Sequence, residues 1–487
     1  MKLILLTTFI FSSFIASAQR KITWSPSMNI STNAHGNSHP RMTLDRVGNP
    51  LVIWGRMSDQ AVFFSRWTGS SFTAPMKLNP SWLTVATASW MGPDIASYGD
   101  TIYVVVKRTP EASDTNRMFI LSSFDGGQSF NNPVEVGMIA DSISRFPTVT
   151  TDAIGNPIVA FMKFNPSFLE SRWAVIKSTD YGKTFSNDTK ASGWGDSEEV
   201  CDCCPGAIIS EGNTCVMMYR NNNSNLRDTW AGISSTSGSS FTSGLALENN
   251  NWVLMSCPST GPDGVIIGDT LYSTFMNGIS GIGRTYLSKS SISAGTMSSA
   301  QKITGAISGL SEQNYPRIAS DGTAMAIVWK QSVNGSAQLP ILFTNNIAEG
   351  FPASYDTVDL ANITNSDVSI SNGNIYVVWQ DDNTGTVKFR SGTYTPTSTN
   401  GVNTVSHNSY SVYPNPFFSE TTFQSENFFK NATLALFDNS GKLVKQMKNI
   451  WGKTYTLHRD NLQSGLYFFQ LIQNSKVILE DKLIIID

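Results

Sequence analysis

The sequence predicts an all-β chain: a seven-bladed β-propeller, with six blades and one degenerate unit as the alternative, followed by a small C-terminal β-sandwich. Three observations carry that expectation. A unit of two short strands joined by a glycine-containing turn recurs along residues 39–381. Apolar residues alternate or run in short blocks between Gly, Ser, Thr and Asn, a strand-and-turn pattern in which helical periodicity is scarce. Beyond a polar stretch at residues 393–411 the repeat stops and a different strand pattern begins.

Each repeat reads Pro, alternating apolar residues, a turn, then an apolar run that often ends in Trp. The copies begin at Pro40, Pro93, Pro147, Pro205, Pro258 and Pro316, and Asp367 takes the proline's place in the last. Glycine supplies turn angles that other residues avoid. Two strands cannot bury both of their faces alone, so each unit must stack on its neighbours. A spacing of roughly fifty residues in four-strand units is that of propeller blades. Seven anchors imply seven blades. The last copy supplies a third strand (TVKFRSGTY) and then meets the polar stretch, so residues 22–31 (ITWSPSMNIS) are expected to complete it.

A second motif follows the repeat's apolar runs. Ser123, Asp125, Gly127 and Phe130 match S-x-D-x-G-x-x-[FW], as do Ser178, Asp180, Gly182 and Phe185; copies lacking the Asp occupy residues 65–72 and 234–241. In these residues the chain resembles the BNR/sialidase superfamily, whose Asp-box this is, over residues 19–395. A structural role is expected: the carboxylate caps turn amides, Gly permits the bend and Phe packs beneath. The resemblance implies that these hairpins lie on the face opposite the ligand site.

The two ends carry targeting signals. Lys2, the apolar run from Leu3 to Ile15 and Ala16-Ser17-Ala18 read as a cleaved signal peptide at residues 1–18, too short to span a bilayer. After the linker at 396–411, residues 412–487 hold Tyr413-Pro414-Asn415-Pro416, a turn from Asp438 to Lys442, Gly465-Leu466-Tyr467 and a basic, apolar end. This region resembles the type A sorting domain of the Bacteroidetes type IX secretion system. The resemblance implies secretion or outer-membrane surface attachment, with that machinery as a partner. A net charge of −3 gives no basic footprint for nucleic acid. A monomer with no transmembrane segment and no cofactor is expected.

Propellers take ligands on the face formed by the connections into the first strand and out of the second of each blade. Here that places His35, His39, Arg41 and Arg56 of the first repeat near Asp94, Lys107 and Arg108 of the second. Arg145, Lys163, Glu198, Glu199, Arg220 and Asn221 follow from the next two repeats, and Glu312, Tyr315, Arg317, Lys330, Asp381 and Asp382 from the last two. Several arginines at one mouth suit a carboxylate, so an acidic sugar of an extracellular glycan or glycoprotein is the expected ligand. The catalytic candidates are Arg145, Arg317, Arg41, Asp94, Glu198 and Tyr315. For a sialidase the resemblance requires an arginine in F/Y-R-I-P, two further arginines, a Tyr–Glu pair and an Asp. Arg145-Phe146-Pro147 is the near match, in the third repeat rather than the first, and Tyr315-Pro316-Arg317 has the order reversed. Asp94 with Glu198 suits another glycosidase, and His35 with His39 a lyase. Glycan processing and non-catalytic binding or adhesion both stand.

Cys201, Cys203 and Cys204 precede the fourth anchor and Cys257 the fifth, while Cys215 lies in an apolar run. In an exported protein disulfides are the default, with three connectivities open to four cysteines. Cys204–Cys257 with Cys201–Cys203 is one option and a Cys203–Cys204 bridge another; a thiolate site for Zn or Cu(I) is the alternative.

Overall fold

The computed structural model describes residues 21–32, 36–111, 116–137, 142–195, 199–397, 410–438, 441–473 and 476–487. The expected signal peptide lies outside them. The chain divides into two compact units, Met1–Thr397 and Ser398–Asp487. Both are β-built, and among the described residues no helix is long and apolar enough to cross a membrane.

The first unit is a succession of antiparallel sheets, each four strands deep, as in a propeller. The first sheet runs Asn37–Leu44, Pro50–Arg56, Ala61–Arg66, Met76–Lys77, and the next five repeat that order along the chain. Their inner strands are Asp94–Tyr98, Ile143–Thr151, Ala207–Glu211, Asp263–Ile267 and Leu310–Ser320. The seventh sheet holds Ile363–Ser371, Asn374–Asp381 and Thr386–Thr393. Its outer strand comes from the other end of the unit: Thr23 pairs with Thr393, Trp24 with Gly392 and Met28 with Phe389. Each inner strand packs on the next, and that of the seventh sheet on that of the first.

The apolar runs explain the stacking. Side chains alternate across a strand, so a run without polar breaks buries both faces. In the first sheet Leu51 and Ile53 join Ile102, Val104 and Leu121 of the second sheet, while Val52 and Trp54 join Val378 and Phe389 of the seventh. Trp54, Trp329 and Trp379 end such runs and are fully buried. The fifth repeat departs from the expected register. Its inner strand starts at Asp263, paired with Thr274, so Pro262 and not Pro258 is the anchor.

The Ser-x-Asp-x-Gly hairpins are capped turns. Asp180 Oδ1 accepts from the Lys183 and Thr184 amides at 3.1 and 2.9 Å, and Oδ2 from the Thr184 hydroxyl at 2.7 Å. The Ser178 hydroxyl accepts from the Gly182 amide at 2.8 Å, and Gly182 has φ 85°. Asp125 does the same work, and Phe130 packs edge-on against Phe64. Bonds from Ser129 and Thr184 hold both carboxyls down at about 2. In the copy at 234–241 the Thr236 hydroxyl replaces the carboxylate, accepting from the Ser240 amide at 3.0 Å. Asp180→Ala is expected to cost about 1 kcal/mol, the worth of a capping bond. The loss should fade as pH falls toward 2, where the wild-type carboxylate also protonates; urea titrations at pH 7 and pH 2.5 measure both.

In the second unit Glu420–Phe437 pairs with Tyr410–Tyr413, Leu443–His458 and Gly465–Gln473, and the last pairs with Lys476–Ile485. Phe423, Phe429, Leu434, Phe469, Leu471 and Leu483 fill its core.

Candidate functional site

The site grows from the start of the inner strands. In the first, third and sixth sheets a β-bulge falls at the anchor proline, between Ser38 and Arg41, Arg145 and Thr148, and Asn314 and Arg317. The residue before the proline takes a left-handed conformation, with φ 54° at His39, 54° at Phe146 and 50° at Tyr315. A proline disfavours that geometry in the residue before it, so the packed sheets must hold it. A bulge re-aims side chains, and all three residues line a central cavity of about 310 Å³ together with Trp90, Gly261 and Arg317.

In the seventh sheet Ser366, paired with Trp379, and not Asp367 stands at the anchor position, so that in each sheet the residue after the anchor faces its neighbours around this cavity. Read through the fifth, sixth, seventh, first and second sheets, the column is Asp263, Arg317, Asp367, Arg41, Asp94. The signs alternate. Arg317 Nε lies 3.1 Å from Asp367 Oδ1 and 3.4 Å from Asp263 Oδ2. Each carboxylate also accepts an amide from the following sheet: Ile318 to Asp263 at 2.9 Å, Met42 to Asp367 at 2.8 Å and Val149 to Asp94 at 3.0 Å. The column therefore bonds sheet to sheet. Burial pushes Asp263 up, opposed by Arg317; burial also lowers Arg317, but Asp263 and Asp367 outweigh it and raise the group. Burial and Arg317 bring Arg41 down to about 10. His39 is held well below its ordinary value by burial and by Arg41, so its ring is neutral. Arg41 Nη2 lies 3.0 Å from Nε2, which leaves Nδ1 to carry the proton toward the Ser89 carbonyl at 3.4 Å.

Beside the cavity, next to its lining residues Trp90 and Phe146, stands a third arginine with different surroundings. Arg145 makes a two-pronged bond to Glu111, Nε to Oε1 at 2.8 Å and Nη2 to Oε2 at 2.6 Å. Its guanidinium lies 5.8, 5.5 and 5.1 Å from the ring centres of Trp90, Phe164 and Phe168. Trp90 and Phe168 remain 45% and 46% exposed, so aromatic faces flank a charge at the surface. Lys107 is fully buried nearby, donating to the side-chain Oδ1 of Asn116, and burial brings its amine down to about 8 against the pull of Glu111. Tyr315 is raised by burial and then by the carboxylates of Glu312 and Asp382.

Other predicted residues are engaged elsewhere. Arg56 pairs with Asp59, Lys163 with Asp188, Lys330 with Glu312 and Asp381 with Lys388. Asp382 accepts from Gln380 and Thr364. Arg220 is buried, donating to the carbonyls of Arg227 and Met276 at 2.6 and 2.7 Å, and Asn221 to that of Trp194 at 2.8 Å. Glu199 accepts the Glu170 amide at 2.8 Å. Arg108 is anchored by its backbone, whose amide donates to the Arg117 carbonyl. His35 and Glu198 lie outside the described residues. The sequence pattern assigns no chemical role to Glu111, Trp90, Phe168, Asp263 or Asp367; the last two escaped because the anchors of their repeats fall at Pro262 and Ser366 rather than at Pro258 and Asp367.

The cysteines pair otherwise than expected. The disulfide joins Cys203 to Cys257, replacing both the Cys204–Cys257 and the Cys203–Cys204 options. Cys201, Cys204 and Cys215 are free and buried. Cys201 Sγ lies 2.9 Å from Cys204 Sγ and 3.5 Å from Cys203 Sγ. Hydrogen bonding from Cys204, then Arg227 and Arg220, brings Cys201 down to about 7, while burial pushes Cys204 up. Burial likewise pushes Cys215 up to about 12, the behaviour of an inert core thiol.

Residues 411–486 match the family described as secretion system C-terminal sorting domain. A domain of this kind marks a protein for secretion or the cell surface. No curated protein sequence matches the chain significantly. Among solved structures, a protein of unknown function from Dyadobacter fermentans is 10% identical, covers 77% of this chain and 99% of its own, and has a TM-score of 0.45. An α-L-arabinofuranosidase of Fusarium graminearum with an iminosugar inhibitor is 11% identical, with 68% and 98% covered and a TM-score of 0.43. The sialidase of Trypanosoma rangeli with the inhibitor DANA is 11% identical, with 90% and 83% covered and a TM-score of 0.40.

Proposed function

We propose that the first unit is a closed seven-bladed, sialidase-like propeller that binds extracellular acidic glycans at the mouth of its central cavity. Its ring of inner strands supports the blade count, and the register shifts that bend Glu420–Phe437 support a sandwich for the second unit. The sorting domain then hands the chain to the type IX secretion machinery after a signal peptide at residues 1–18 is removed.

One observation carries the reading: Arg145, gripped by Glu111, stands among exposed aromatic faces beside the cavity. Sugar rings stack their C–H faces on such surfaces, and a guanidinium fork matches a carboxylate. Glu111 then holds the place that a uronic or sialic acid carboxylate takes in the complex. Arg317 is less available, since two carboxylates of the chain already flank it.

A hydrolytic reading rests on Tyr315, which lines the cavity within the field of Glu312 and Asp382. A glycan array followed by a product assay separates the two. Binding by the wild type that falls about tenfold or more in Trp90→Ala, without released sugar, supports a binding propeller. Released sugar that disappears in Tyr315→Phe makes it an enzyme. Unchanged binding in Trp90→Ala removes this site.

A further inference from the structure

The cysteine cluster holds more than a staple. A lone buried disulfide would need two sulfurs, yet four meet here, their atoms all within 4.8 Å of one another. Two are exposed to different degrees and two are not: Cys257 is exposed and Cys203 half-buried, whereas Cys201 and Cys204 are buried. Cys201 and Cys204 have the C-x-x-C spacing of thiol–disulfide exchange centres. The Cys201 sulfur stands between two partners, 2.9 Å from Cys204 and 3.5 Å from the bridged Cys203. Beside it is Arg227, a buried arginine whose Nε and Nη1 find no hydrogen-bond partner. An unanswered cationic donor in a buried site favours an anion, and a thiolate at Cys201 is the anion within its field.

We propose that the four cysteines form a thiol–disulfide exchange centre in which the buried Cys201/Cys204 pair passes two electrons to the exposed Cys203–Cys257 disulfide. The Cys201 thiolate attacks Cys203 Sγ, an S–S bond forms between them, and the Cys203–Cys257 bond breaks with its electron pair leaving on Cys257. The Cys204 thiolate then attacks Cys201 Sγ and displaces Cys203. One dithiol has become a disulfide and one disulfide a dithiol, and the two protons released by Cys201 and Cys204 are taken up by Cys203 and Cys257. The exposed dithiol so formed is the species that meets an outside disulfide, which closes Cys203–Cys257 again and is itself reduced to two thiols.

The experiment equilibrates the full chain with reduced and oxidised glutathione over a range of ratios, quenches in acid, alkylates the free thiols and maps disulfide-linked peptides. The expected result is a poise at which Cys201–Cys204 and Cys203–Cys257 are both found, and a fully oxidised state carrying both bridges. In Cys257→Ser, formation of Cys201–Cys204 should slow at least tenfold, because the accessible sulfur is gone. Circular dichroism confirms that this variant folds, and Cys203→Ser serves as the second test of the same step. Cys201 and Cys204 alkylated at every ratio would overturn the proposal. So would Cys201–Cys204 forming as fast in both variants as in the wild type. One equivalent of zinc held by the reduced chain, with all four thiols shielded from alkylation, would make the cluster a metal site instead.

Discussion

Replacing Arg317 by methionine is expected to cost the first unit about 3–5 kcal/mol of stability, the loss seen when one partner of a buried ion pair is removed. The side chain is the only cation within salt-bridge distance of both Asp263 and Asp367 among the described residues. Both carboxylates are buried, and each also bonds an amide of the following sheet. Without the guanidinium they become buried anions, and Asp263, already pushed up by burial, loses the charge that opposes the rise. A group raised in this way favours the fold below its unfolded pKa and opposes it as pH climbs through the folded value. The deficit should therefore be largest at pH 7 and above and shrink toward pH 4. Arg317→Met combined with Asp367→Asn should recover part of it, since the amide carries no charge and its oxygen still accepts the Met42 amide. Denaturant midpoints of the three proteins at pH 7 and pH 4.5 measure the effect. A loss below 1 kcal/mol at pH 7 would mean that the alternating column contributes little.

The same column explains how far the sequence could be read. The repeat and its anchors were visible because a buried, two-faced strand needs uninterrupted apolar runs and the turns between them need glycine. The contribution of residues 22–31 to the seventh sheet was legible for a similar reason: an amphipathic strand without a sheet stood at one end, and a sheet short of a strand at the other. The fifth register was misplaced because Cys257-Pro258 copies Cys204-Pro205, and only the pairing of Asp263 with Thr274 picks Pro262. Arg317, Arg41 and Asp94 were visible as charges near the mouth, but their alternation with Asp263 and Asp367 depends on which sheets adjoin. Glu111 was out of reach entirely. It lies in a loop, its partner is 34 positions away on the inner strand of the third sheet, and no local pattern joins them. The cysteine pairing was hidden for the same reason, since three sulfurs within four residues differ only in where the backbone turns them.

Freeing Arg145 should strengthen glycan binding rather than weaken it. In the unliganded chain its two donors are taken by Glu111, and a ligand carboxylate must displace that bond. Glu111→Gln keeps the shape of the loop and one acceptor but removes the competing charge. Affinity for uronic- or sialic-acid glycans is then expected to rise about tenfold, a little over 1 kcal/mol. Arg145→Ala should have the opposite and larger effect, because a charge-assisted bond worth about 1.5–3 kcal/mol vanishes, or roughly 10–100-fold in affinity. Neutral glycans that only stack on Trp90 and Phe168 should respond to neither charge change, which separates recognition of the carboxylate from a general collapse of the site. The pattern is read by titrating matched acidic and neutral oligosaccharides into the wild type and both variants at one ionic strength, since exposed charge pairs weaken with salt. Equal affinities across the three proteins would place the ligand elsewhere. If Glu111→Gln binds more tightly but a wild-type product release is lost, Glu111 takes part in a cleavage reaction as well as holding Arg145 in place.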